Sequence, residues 1–176
     1  MLNGKSVLIT GGTGSFGKAF VSYALRKYPK IKRLVILSRD ENKQFEMQKI
    51  FSPLKFKCLR YFIGDIRDSR RLKIAINQID FIFHAAAMKH VPASEYNPSE
   101  AIKTNVDGAQ NLIDASLEAN VKKVIFLSTD KACSPINLYG ATKLCAEKLF
   151  LTAKKNNPSK DSKFIVMRYG NVNASR

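Results

Sequence analysis

The stretch Ser6-Val-Leu-Ile-Thr10 runs directly into Gly11-Gly-Thr-Gly-Ser-Phe-Gly17, and this junction decides the fold. The short apolar, β-branched run reads as a strand covered on both faces. Glycines at 11, 14 and 17 then lead into helical periodicity over 15–28. Glycine also serves ordinary turns, but a glycine loop between a first strand and a first helix is the context that dinucleotide binding requires. Without side chains, the backbone can approach a pyrophosphate whose charge sits at the positive end of the helix. Thr10, Gly11, Gly14, Ser15, Phe16 and Gly17 are therefore the first candidate cofactor contacts.

Outward from this junction, short apolar runs alternate with longer helical stretches. Further strands are expected at Arg33–Leu37, Cys58–Ile63, Phe81–Ala85, Lys123–Leu127 and Phe164–Arg168, and helices near 41–51, 69–78, 99–119 and 138–155. Asn97-Pro98-Ser99-Glu100 supplies a start signal for the fourth helix, with proline and an acid in its first turn. Strict strand–helix alternation predicts an α/β fold: one doubly wound parallel sheet with helices on both faces.

The length of 176 residues suits one domain, and 45% apolar with 25% charged residues argues against disorder. No apolar run approaches the ~18 residues of a membrane span, and the start has no apolar signal region, so a cytoplasmic protein without membrane insertion is expected. Cys58, Cys133 and Cys145 form neither a disulfide framework nor a metal site. They read as reduced thiols, and no metal is expected. The formal net charge of +16 is unusual and admits nucleic acid, anionic membranes or phosphorylated substrates as partners. Basic residues cluster at Arg26–Arg33 and Lys154–Lys163, without zinc-finger or RNA-binding motifs, so nucleic acid is not the expected partner.

The end of the second strand separates the two nicotinamide cofactors. An acid there accepts from ribose hydroxyls, whereas an arginine accommodates a 2′-phosphate. Ser38-Arg39-Asp40 stands there, with Arg39 22 residues past Gly17. Arg39 with Ser38 favours NADP, and Asp40 keeps NAD open. Asp65 and Ile66 follow the third strand, where the Asp65 carboxylate could reach an adenine.

Tyr139 and Lys143, four residues apart on an expected helix, share one face. A lysine beside a tyrosine stabilises phenolate, so a lowered Tyr139 pKa and a proton-accepting role are expected. YxxxK alone is common; joined to the glycine loop, it resembles the extended short-chain dehydrogenase/reductase superfamily. The stretches AAAMKHVPASEYNP (85–98), KTNVDGAQN (103–111), STDKA (128–132), NLYGATKL (137–144) and RYGNV (168–172) resemble inverting UDP-N-acetylglucosamine 4,6-dehydratases of bacterial surface-sugar biosynthesis, including the pseudaminic acid branch.

That resemblance implies roles. Tyr139 with Lys143 would take the sugar C4 hydroxyl proton while hydride passes to NADP. Lys131 would remove the C5 proton, and a protonated Asp130 would serve the departing C6 hydroxyl. Thr129 would hold the C4 oxygen, Lys89 and Asn171 would contact substrate, and Ala85 and Ala86 would line the cofactor. Asn105 matches a helix-kinking asparagine that supports the lysine, with helix capping as the alternative. His84 reads as a packed histidine. A homo-oligomer is implied. Family members continue into a smaller domain that grips the nucleotide sugar, so 1–176 reads as an NADP-binding domain, apparently truncated, with the substrate domain missing. Asn173-Ala174-Ser175 also departs from the family pattern. Three other readings stay open: a non-catalytic NADP-binding module, a nucleotide-sugar epimerase of the same superfamily, and a basic nucleic-acid binder motivated only by the charge of +16.

Overall fold

The computed structural model describes residues 1–157 and 161–171, the Lys154 side chain excepted. The expected departures at 173–175, along with Val172 and part of the 154–163 basic cluster, lie outside the described residues. Six parallel strands form one sheet in the order β3-β2-β1-β4-β5-β6. They are β1 (Ser6–Thr10), β2 (Arg33–Ser38), β3 (Leu59–Ile63), β4 (Phe81–His84), β5 (Lys123–Leu127) and β6 (Lys163–Met167). Each expected strand is present, with ends moved by one residue at most.

Alternation along the strands divides the core into two layers. Val7, Ile9, Leu34, Ile36 and Leu59 point to one face, under Val21 and Ala24 of α1 (Ser15–Lys27) and Met47 of α2 (Glu41–Ile50). Leu8, Val35, Ile82, Val124 and Phe126 point to the other. That face is covered by α3 (Ser69–Ile76), α6 (Gly108–Glu118) and α7 (Leu138–Asn156). Along β6, Phe164 and Val166 pack inward, whereas Ile165 and Met167 are 40% and 52% exposed. No helix among the described residues is long and apolar enough to cross a membrane.

The region expected as one helix over 99–119 differs. It divides into α5 (Pro98–Ile102), a π-helical turn (Lys103–Asp107) and α6, preceded by a short α4 (Val91–Tyr96) that periodicity does not reveal. The wide turn buries Thr104 and Asn105 toward the site, which continuous α-helical phasing would not do. The strand order reverses between β1 and β4, so the crevice for a ligand opens at the carboxyl ends of these neighbours.

Candidate functional site

The glycine loop leaves β1 at that crevice. Gly14 precedes α1 in an extended conformation, with no side-chain cap and no acid in the first turn. The helix therefore presents first-turn N–H groups and its positive end without a competing anion. Gly14, Ser15 and Phe16 are exposed there, and Gly11 lies against the Ala86 backbone. Gly17 is required by packing: a Cβ would lie 2.2 Å from the Gly12 carbonyl oxygen.

The Thr10 side chain is turned inward. It is fully buried, and its hydroxyl accepts from the N–H groups of Ala85 and Ala86, both at 3.2 Å. Its own proton is left for His84 Nδ1, at 2.7 Å. Thr10 thus ties the end of β1 to the end of β4 and aligns the crevice walls. His84 stacks near Phe126 and Phe150, and burial lowers its pKa to about 3, so it is a neutral packed histidine. The sequence reading of His84 agrees.

At the end of β2, the Arg39 side chain is 62% exposed, and its guanidinium is 3.7 Å from Asp65. Asp40 is turned to another use. Its carboxylate caps α2 by accepting from the Lys43 N–H at 2.9 Å, and it is 3.2 Å from the Lys43 amine. These contacts lower its pKa. Ser38 points inward to the Thr13 hydroxyl at 2.8 Å. Asp65 is gripped by Arg67, which itself pairs with Glu100; burial raises the Asp65 pKa, but the arginine bonds more than offset this, so it is held low. Ile66 is 4% exposed and packs over Gly108, so its side chain belongs to the core instead of a ligand surface.

The expected catalytic residues meet beyond β5. Thr129 closes the strand end and leads into a 3-10 turn, Asp130–Ala132. A continuous polar row forms there. The Tyr139 hydroxyl lies beside Thr129, Thr129 donates to Asp130 at 2.9 Å, and the Lys131 amine bridges Asp130 at 3.3 Å and the Asn171 oxygen at 3.1 Å. Lys89 is exposed on the loop after β4. That loop is pinned by Asn105, which accepts from the Met88 N–H at 2.8 Å and donates to the Met88 carbonyl at 2.9 Å. Asn105 also donates to Thr142, beside Lys143, at 3.0 Å. Its side chain is thus committed to these contacts, and helix capping is not its role.

Two electrostatic expectations change. The Tyr139 pKa is raised, because burial penalises the phenolate more than the neighbouring Thr129 hydroxyl favours it. Lys143 is spent elsewhere: its amine donates to the Leu127 carbonyl at 2.7 Å and lies 4.0 Å from the centre of the Phe126 ring. Burial lowers its pKa to about 7. Asp130 is held as a carboxylate by Thr129 and Lys131, with a lowered pKa, where a protonated acid was expected.

Sequence reasoning passed over three residues of this edge. Glu147, 3% exposed, accepts from Ser128 and is clasped by Arg168 through bonds of 2.9, 3.2 and 2.6 Å. Gly140 lets α7 touch the DKA turn, since a Cβ would lie 2.1 Å from the Lys131 carbonyl oxygen. The signals were present: Glu147 repeats the Lys143 face one turn on, and Gly140 sits inside YGATK.

A family model described as polysaccharide biosynthesis protein matches residues 7–176. The inverting UDP-N-acetylglucosamine 4,6-dehydratase of Campylobacter jejuni is 59% identical over 176 residues, 100% of this chain and 52% of that protein. Pen from Bacillus thuringiensis, a solved structure, is 46% identical with a TM-score of 0.95, over 99% of this chain and 54% of its own. DesIV, a dTDP-glucose 4,6-dehydratase of Streptomyces venezuelae solved with NAD and TYD bound, is 27% identical with a TM-score of 0.77, over 93% of this chain and 55% of its own. The chain spans about half the length of these relatives. With a parallel sheet ordered 321456, a glycine loop at its switch point and a match reaching from Val7 to the last residue, the chain belongs to the polysaccharide biosynthesis protein family and is similar over its whole length to inverting UDP-N-acetylglucosamine 4,6-dehydratases.

Proposed function

We propose that this chain carries the nicotinamide-binding and proton-handling half of an NADP-dependent 4,6-dehydratase acting on UDP-N-acetylglucosamine. The observation that carries the reading is the polar row Tyr139–Thr129–Asp130–Lys131–Asn171 at the carboxyl edge of the sheet, the same edge as the glycine loop after β1. Gly11, Gly14, Ser15, Phe16 and Gly17 would hold the cofactor diphosphate. Ala85 and Ala86 would line the crevice wall. Exposed Arg39 is the group suited to a 2′-phosphate, because Asp40 is engaged as a helix cap. When bound, the nicotinamide would supply hydride acceptance from C4 and hydride return to C6.

The chain's own residues would move the protons. Tyr139 is placed to take the C4 hydroxyl proton, with Thr129 steering the oxygen. A phenol with a raised pKa is a poor acceptor until a cation stands beside it. Lys143 lies one turn away on the same face and would serve once turned from Leu127. Lys131, once it has passed a proton to Asp130 along their contact, would take the C5 proton as a neutral amine, the C4 ketone having made that proton acidic. Asp130 would assist the C6 hydroxyl as it leaves, after taking up a proton; losing its Lys131 contact raises its affinity for that proton. Proton return to C5 from the opposite face would invert that centre.

Incubating the chain with NADP and UDP-N-acetylglucosamine should give the dehydrated 4-keto product by mass spectrometry. Tyr139→Phe should abolish it while keeping NADP affinity within a few-fold. NADP binding without product would leave a cofactor-binding module, and absence of NADP binding would sink the reading.

A further inference from the structure

Three charged or polar groups, Glu147, Ser128 and Arg168, meet behind the catalytic row and are used by none of the steps above. Glu147, on α7 one turn past Lys143, is 3% exposed. Three elements converge on its carboxylate. Ser128 donates to Oε1 from the end of β5, and Arg168 closes on both oxygens from just beyond β6. From its own helix, Lys143 presents a charge to it. Arg168 in turn contacts Cys133, beyond the DKA turn. Lys143 faces the Leu127 carbonyl, the Phe126 ring, neutral His84 and Glu147.

A buried carboxylate clasped in this way is expensive to leave unpaired, so the arrangement has little freedom to drift. It touches both parts of the site. Ser128 immediately precedes Thr129, and Lys143 is the partner proposed for Tyr139. The bidentate arginine fixes the direction of the carboxylate as well as its charge. Burial raises the Glu147 pKa, but Arg168 and Ser128 more than offset this and keep it ionised. Its negative charge opposes the desolvation that drives Lys143 toward neutrality.

We propose that Glu147 is a positioning residue for the Tyr139–Lys143 pair: clasped by Arg168, it anchors the Ser128–Thr129 strand end and sets the charge that Lys143 carries. The claim rests on the proposed role of Lys143, but its test needs neither cofactor nor substrate. NMR of 13C-labelled lysine Cε atoms, with Lys143 assigned through Lys143→Met, reads the Lys143 titration in the whole chain. Glu147→Gln should move that titration about one pH unit lower. Glu147→Asp, which keeps the charge, should restore most of the shift. If Glu147→Gln does not fold, the double change Glu147→Gln with Arg168→Met removes the buried carboxylate together with its exposed partner and should still displace the titration downward. A Lys143 titration within roughly 0.2 pH unit of wild type in the folded variant, with only thermal stability lowered, overturns the proposal. NADP binding measured on the wild-type chain tests the functional reading separately, since a chain that binds no NADP but shows the Lys143 shift refutes that reading and keeps the coupling.

Discussion

Lys143 donates its amine to the Leu127 carbonyl, joining α7 to the end of β5 through a buried base. The contact replaces only part of the hydration an ammonium loses, so the neutral amine is favoured and the pKa falls to about 7. In an unfolded chain the same group titrates near 10.4.

This displacement makes stability depend on alkaline pH. Below pH 7 both states hold the proton, and the burial penalty is present in full. Between pH 7 and about 10 the unfolded chain binds more protons than the folded one, so stability rises with pH. The contribution is at most ~1.4 kcal/mol per pH unit. Urea unfolding at pH 7 and pH 9 should show this gain in wild type, and Lys143→Met should lose it. Equal slopes for the two proteins would show that Lys143 is not held as a depressed base.

His84 acts at the opposite end of the scale. Its folded pKa of about 3 lies below an unfolded value near 6.5, so the unfolded chain takes up a proton first as pH falls. Its stabilisation is present above pH 6.5 and declines steadily toward pH 3. Replacing it by glutamine, which retains a partner for the Thr10 hydroxyl, should flatten the stability profile between pH 6.5 and 4. Asp65 and Glu147, both with lowered pKa values, would still produce a loss below that range. A variant with an unchanged slope above pH 4 would show that His84 is not kept neutral by burial.

What could be read from sequence was what repeats locally. Near-continuous apolar strands and the glycine loop are local patterns, and all six strands and the loop appear where expected. The π-helical turn at Lys103–Asp107 was hidden, because one wide turn barely disturbs an apolar pattern yet redirects Asn105 into the site. Thr10 and Ile66 were assigned to the cofactor by position along the chain. Their side chains instead satisfy the backbone of the neighbouring strand end and fill the space over Gly108. Glu147 and Arg168 could be paired only by a fold that brings α7 beside β6. The burial that lowers the Lys143 pKa likewise depends on α7 packing over β5, a strand that no spacing rule places beneath it.

Arg39 and Asp40 divide the selectivity question into separable effects. Asp40→Ala removes an N-cap and should lower the urea midpoint. It should leave the ratio of NADP to NAD affinity within about two-fold, because its carboxylate is already engaged by Lys43. Arg39→Ala should weaken NADP by about ten-fold and NAD by far less, the loss expected for one charge-assisted contact. Titration of each variant with both dinucleotides measures the two ratios. A larger loss of NAD affinity in Asp40→Ala would show that the acid leaves its cap to hold a ribose.

Gly140 and Gly17 test the two halves of the site independently. At Gly140 an added methyl meets the Lys131 carbonyl oxygen, a backbone atom that can yield only if the DKA turn or α7 moves. Gly140→Ala should therefore destabilise the chain by about 1–3 kcal/mol and loosen the Lys131–Asn171 contact. The glycine loop leaves β1, which β4 separates from β5, so NADP affinity should change by less than about five-fold, under ~1 kcal/mol. At Gly17 the methyl meets the Gly12 carbonyl within the loop itself. Gly17→Ala should lower NADP affinity by well over ten-fold, because the first turn of α1 must move away from the loop that precedes it. Calorimetric titration with NADP, alongside thermal unfolding of both variants, separates these outcomes. If Gly140→Ala weakens NADP as severely as Gly17→Ala, the turn after β5 and the glycine loop form one coupled unit and the division into separate proton-handling and diphosphate-binding parts fails.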